Sequence, residues 1–166
     1  MKTIVLSAHP NPAQSVRGRM ILDRLTALQN VTVRNLSELV TGFTMDAAQV
    51  AKEQALLEAA EQIIFLHPLH WLQMPPLARV YQDSVFTPGF AYLNNADGTH
   101  APAKLQGKTL TYIVTTHAPK ERLPSPHEIC GQQAHNARFT GMTAKPPFIF
   151  FGGDAPAALD ALPAWL

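Results

Sequence analysis

Four short stretches, at residues 4–6, 63–66, 110–114 and 148–151, constrain this chain more than any other feature, because each is apolar or β-branched with no polar alternation. Strands of that kind are buried on both faces, as in a parallel sheet covered by helices. Helical spacings lie between them: Ile21, Leu25 and Leu28 after the first, Val50, Leu57 and Ala60 before the second, and Leu77, Val80, Tyr81 and Val85 after it. Residues 31–35 add a short β-branched strand. Five strands alternating with helices predict an α/β chain in one domain of residues 1–166. Its sheet is expected to be doubly wound and parallel, in the order 2-1-3-4-5, with right-handed crossovers.

The loops carry the functional signals. Strand one runs into Ser7-Ala8-His9-Pro10, the prolines at 10 and 12 stop both strand and helix, and Ser15 is placed to cap the next helix. Ligands of such sheets bind at the carboxyl ends of the strands, where a helix N-terminus offers N–H groups and a positive dipole end to phosphate. The first loop is therefore a candidate anion site. Asp46 is placed to cap a helix over 47–61, and Pro75-Pro76 opens another. Residues 86–106 read as an irregular segment, and loops of that length are commonly functional. Residues 126–140 make a poor helix, given Pro126, Gly131 and few large apolar residues. Beyond Gly152-Gly153 a short Ala-rich end, interrupted by Pro163, leaves the fifth strand thinly covered. The apolar surface this exposes favours a homodimer.

Composition excludes several classes. Lys plus Arg 13 against Asp plus Glu 12 gives a net charge of +1, so nothing in the overall electrostatics points to nucleic acid or an anionic membrane. The single cysteine, Cys130, rules out an internal disulfide and has no evident activating partner. His67 and His70 lack the carboxylate or further ligands of a metal site, so no metal is expected. The opening apolar run is too short for a signal peptide, and no run of about 18 apolar residues is present to span a membrane. A cytoplasmic protein is expected.

Several motifs, in order, resemble the flavodoxin-like NAD(P)H:quinone oxidoreductase family. They are Ala8-His9-Pro10 with Ser15, the run Gly42-Phe43-Thr44-Met45-Asp46, and His67-Pro68-Leu69-His70-Trp71 with Pro75-Pro76-Leu77. They continue with Gly89-Phe90-Ala91-Tyr92, Leu105-x-Gly107-Lys108 and Thr115-Thr116. The resemblance implies a bound FAD, or alternatively FMN, that passes a hydride from NAD(P)H to a quinone. It places His9, Ser15, Val16 and Arg17 around the flavin phosphates, with Arg17 or Arg19 adding charge. Backbone groups of Pro68, Leu69, His70, Trp71 and Leu72, and of Thr115, Thr116, His117 and Ala118, would meet the isoalloxazine edge. Trp71 would wall the ring and Tyr92 would line the substrate pocket over it, although both residues suit a core edge or a dimer contact equally well. No side-chain acid or base is required, so no catalytic residue is assigned.

The family also includes ancillary subunits of glutathione-gated potassium efflux systems, so a binding subunit with a membrane-transporter partner is the alternative reading. One-electron carriage fits less well, because carriers use a strongly charged docking face. Where the family follows Thr-Thr with two glycines, this chain has His117-Ala118-Pro119, a substitution that costs roughly 1 kcal/mol or more if φ is positive there. The family's histidine near the ring has only His127 as a candidate match.

Overall fold

The computed structural model describes residues 1–165. The stretches without polar alternation form the central strands β1 (Thr3–Ser7), β3 (Gln62–Pro68) and β6 (Thr109–Thr115), with β2 (Val31–Asn35) outside β1. Helices α1 (Val16–Thr26), α2 (Ala47–Glu58), α3 (Pro76–Val85) and α4 (Pro126–Thr140) cover the faces. Between α3 and β6 lies a small antiparallel hairpin, β4 (Tyr92–Asn94) and β5 (His100–Pro102). The parallel order is β2-β1-β3-β6, and the far edge is shared by β7 (Thr143–Ala144) and β8 (Phe148–Phe150), both paired to β6. The expected order 2-1-3-4-5 holds, with the fifth position filled by two short strands in place of one.

Alternate residues of each strand feed opposite cores. Ile4, Leu6, Ile63, Phe65, Leu110 and Tyr112 pack under α2, α3 and α4. Val5, Ile64, Ile113 and Phe150 pack under α1 and the terminal 3-10 segment Pro156–Trp165. Leu159 and Leu162 of that segment are buried against Ile21 and Leu25. The fifth strand is thus covered on this face, and the thin covering that spoke for a dimer is absent there.

Asp46 caps α2 by accepting from the Ala48 and Gln49 amides at 2.9 and 3.1 Å. Ser15 sits at the N-cap of α1 but makes no cap bond, its backbone lying at φ −80° and ψ 76°. Residues 126–140 form a full helix with a kink at Cys130. Its Ser125 and Glu128 make a reciprocal capping box, and Gln133 inside it donates to the carbonyls of Leu110 and Lys145 at 2.9 and 2.8 Å. Polar tethers here do what a stripe of large apolar residues does elsewhere.

Among the described residues a carboxylate lies inside. The Glu53 carboxylate, 1% exposed, accepts from Arg34 Nε at 3.1 Å and Nη2 at 2.5 Å, from Gln49 at 2.8 Å and from the Tyr81 hydroxyl at 3.1 Å. This joins the edge strand β2 to α2 and α3. Burial, with the Glu53 charge beside it, pushes the Tyr81 hydroxyl far above its ordinary pKa, so it acts only as a donor here. Arg34→Met, which leaves the carboxylate without its cation, is expected to lower unfolding free energy by about 3 kcal/mol, and Tyr81→Phe by about 1 kcal/mol. Urea denaturation of both variants measures this; a loss below about 0.5 kcal/mol for Arg34→Met would show that the ion pair is dispensable.

Candidate functional site

Parallel pairing brings the carboxyl ends of β1, β3 and β6 side by side, and the loops leaving them enclose a cleft of about 140 Å³. From the β1 side come His9, Ser15, Val16 and Arg17, from β3 Pro68, Leu69 and His70, and from β6 Thr115, Thr116 and His117. These ten residues, singled out in the sequence, meet at one place. Trp71, Leu72 and Ala118 do not line the cleft; they stand on the rim loops that carry His70 and His117. Tyr92 lies elsewhere, in a second cleft between α3 and α4 with Phe86 and Phe139, its ring 4.9 Å from that of Phe139. Gln14 and Gly18 also line the first cleft and were not anticipated. An early glycine in a helix was the available signal, because a Cβ at Gly18 would come within 2.3 Å of Ser15 Oγ.

Two groups of backbone donors are left without acceptors among the described residues. With Ser15 uncapping and Arg19 the first amide to reach back to the Ser15 carbonyl, the Val16, Arg17 and Gly18 amides open α1 toward the cleft. On the opposite rim the Leu69 amide donates to Thr115 O at 2.8 Å, Thr116 to Phe150 O at 3.1 Å and Ala118 to Thr116 Oγ1 at 3.1 Å. That leaves the amides of Trp71, Leu72 and His117.

Residues 70–73 form a tight turn, with His70 and Gln73 exchanging both backbone bonds at 3.0 and 2.9 Å. Its central residues Trp71 and Leu72 lie at φ 52° and 60°, a conformation that favours glycine and asparagine. Bulky residues held there store strain, which collects at functional sites. Trp71 is 98% exposed. By contrast neither His117 nor Ala118 has positive φ. The penalty anticipated for replacing the glycine pair therefore does not arise.

Histidines set the electrostatics. The Asn11 amide donates to His9 Nδ1 at 3.1 Å, so Nε2 carries the proton and remains a donor. Partial burial pushes the His9 imidazole below its ordinary pKa, and repulsion from His70 adds to this. His67, just below the cleft, is fully buried. Its Nδ1 pairs with Pro68 O at 2.9 Å, its ring meets Tyr112 edge-on at 5.7 Å, and Nε2 has no partner among the described residues. Burial lowers its pKa to about 4. Arg17, expected among the phosphate ligands, donates from Nη1 to Phe151 O at 2.6 Å and from Nη2 to Gly152 O at 2.8 Å, with its guanidinium 4.5 Å from the Phe150 ring centre. Burial pushes the Cys130 thiol up to about 12, which leaves it protonated and inert at neutral pH. Among the described residues no group of three His, Cys, Asp or Glu is placed to hold a metal ion, and no helix is long and apolar enough to cross a membrane.

A five-position parallel sheet in this order, with a helix N-terminus open at the carboxyl ends of its strands, defines a protein of the flavodoxin-like class. The chain belongs to the family described as Flavodoxin-like fold, which it matches over residues 1–165. It is 32% identical to general stress protein 14 of Bacillus subtilis (strain 168), over 96% of this chain and 90% of that protein. It is also 32% identical to the glutathione-regulated potassium-efflux system ancillary protein KefF of Klebsiella aerogenes, over 87% of this chain and 80% of that protein. The crystal structure of general stress protein 14 in complex with FMN from Treponema denticola superposes with a TM-score of 0.83 at 25% identity, covering 99% of this chain and 97% of that one.

The buried His67 gives the site a pH signature. Its folded pKa of about 4 lies below the 6.5 of an exposed imidazole in the unfolded chain, so between these values the unfolded chain binds the proton and the folded chain does not. Stability is therefore whole above pH 6.5 and falls as pH drops toward 4, by roughly 3 kcal/mol at about 1.4 kcal/mol per pH unit. Across this window the urea midpoint of wild type is expected to fall relative to that of His67→Phe as pH drops; parallel curves would mean that His67 charges without cost.

Proposed function

We propose that this chain binds a flavin in the cleft at the ends of β1, β3 and β6 and acts as an NAD(P)H:quinone oxidoreductase. The two sets of unpaired amides carry this reading, one at a helix N-terminus suited to phosphate and one on the rim suited to the polar edge of a flat ring. When bound, the flavin supplies the hydride chemistry between reduced nicotinamide and quinone. Val16, Arg17 and Gly18 would give their amides to phosphate, with the His9 Nε2–H and the free Ser15 hydroxyl beside them. The amides of Trp71, Leu72 and His117 would orient the ring, and the Trp71 side chain would shield it from water. No side chain of the cleft needs to move a proton for hydride transfer.

FMN takes precedence over FAD here. The FMN complex of the Treponema denticola protein supports it, as does a cleft built on one helix N-terminus. Tyr92, in the other cleft of its own chain, would serve a substrate pocket only across an interface with a second copy, so the proposed active form is a homodimer. A cytoplasmic location follows from the use of NAD(P)H. The second reading, an ancillary subunit docked on a membrane transporter, is favoured by the KefF relative and by Trp71 and Phe43, 98% and 90% exposed on turns that follow β3 and β2.

Titration with FMN should give saturable binding and a perturbed flavin spectrum, and the loaded protein should oxidise NADH or NADPH with a benzoquinone acceptor. Absence of turnover, whether FMN binds or not, would move the assignment to the ancillary subunit. Because residues 117 and 118 are unstrained, His117→Gly with Ala118→Gly is expected to leave FMN affinity within about threefold of wild type; a tenfold gain, about 1.4 kcal/mol, would restore the strain argument.

A further inference from the structure

Arg17 comes from the first turn of α1, yet its fork is engaged with the far edge of the sheet. The two carbonyls it grips belong to consecutive residues just after β8, Phe151 at 2.6 Å and Gly152 at 2.8 Å, while Phe150 lies under the guanidinium plane. Those residues in turn hold the loop after β6. Phe150 O accepts the Thr116 amide at 3.1 Å, and the Gly152 amide donates to Ala118 O at 3.0 Å. The approach is so close that a Cβ on Gly152 would fall 1.8 Å from the His117 carbonyl oxygen. A continuous set of hydrogen bonds thus runs from α1 through residues 150–152 to residues 116–118.

We propose that Arg17 is a positioning residue that fixes the His117 amide at the ring edge of the cleft, and that its main effect is on binding of the flavin ring and not of the phosphate. The inference rests on the flavin reading of the cleft. A phosphate ligand at this position would need its fork free, and two of the five guanidinium N–H groups are spent on carbonyls in a planar, stacked seat. Lysine cannot replace it, since a single ammonium on a flexible stem neither spans both carbonyls in a fixed plane nor stacks on Phe150.

Riboflavin, which has the ring and no phosphate, separates the roles. Arg17→Ala is expected to raise the Kd for riboflavin and for FMN by the same factor, tenfold or more, so that their ratio is unchanged. Arg17→Lys should not rescue either. Gly152→Ala, which keeps the guanidinium but displaces the His117 carbonyl, should weaken riboflavin in the same way. Loss of FMN affinity with riboflavin intact, or full rescue by lysine, would make Arg17 a phosphate ligand and overturn the proposal. Amide hydrogen exchange in the flavin-free protein tests the clamp even if the flavin reading fails. Arg17→Ala should speed exchange at Thr116 and Gly152 at least tenfold and leave β3 protected, whereas unchanged exchange at those amides would refute it.

Discussion

The site depends on the parallel pairing of β3 with β6. Their register is unbroken from Gln62 opposite Thr109 to Pro68 opposite Thr115, so the two strands end at the same level. The Leu69 amide then bonds the Thr115 carbonyl, and both loops leave the sheet together. On the other side Ser7 pairs with Leu66, and the Ala8 amide continues the ladder to Leu66 O, which brings the start of α1 to the same edge. A slip of one residue would turn Phe65 and Tyr112 from one core to the other, so burial on both faces enforces this alignment. The cleft is a consequence of core packing before any ligand is considered.

What the packing leaves at that edge is hydrogen-bonding capacity with no internal use. Dehydrating an unpaired amide costs about 1–3 kcal/mol, so these donors must stay in contact with water or receive acceptors from a ligand. A ligand with an anionic end and a flat polar edge satisfies both sets at once. The left-handed backbone at Trp71 and Leu72 has the same logic, since the turn that leaves their amides without internal acceptors is one such residues adopt only at a cost. Below it His67 stays neutral and takes up the Pro68 carbonyl, which stiffens the base of that turn without adding charge near the cleft.

Much of this was legible in the sequence. Residues 31–35 and 109–115 form strands with the expected bounds, because β-branched runs between turn residues leave little choice of ends. Most of the cleft residues were legible too, through the ordered motifs at the strand ends. The gaps have physical causes. Helix α4 was underrated because it is anchored by Gln133 and a capping box and not by large apolar residues, although Ser125-Pro126-His127-Glu128 shows the capping spacing. The hairpin of β4 and β5 was hidden in strands of three residues. Tyr92 carried no sign of which cleft it faces. The engagement of Arg17 had no signature at all, since its acceptors are main-chain carbonyls more than a hundred residues away in sequence.

The central claim is that the open amides at the carboxyl edge of the sheet form the flavin site. Amide chemical-shift mapping of the 15N-labelled protein during FMN titration tests it most directly. The account predicts the largest changes at Val16, Arg17 and Gly18 and at Trp71, Leu72 and His117, the first three absent when riboflavin replaces FMN. Largest changes around Tyr92 and Phe139, with the α1 amides unmoved, would contradict it.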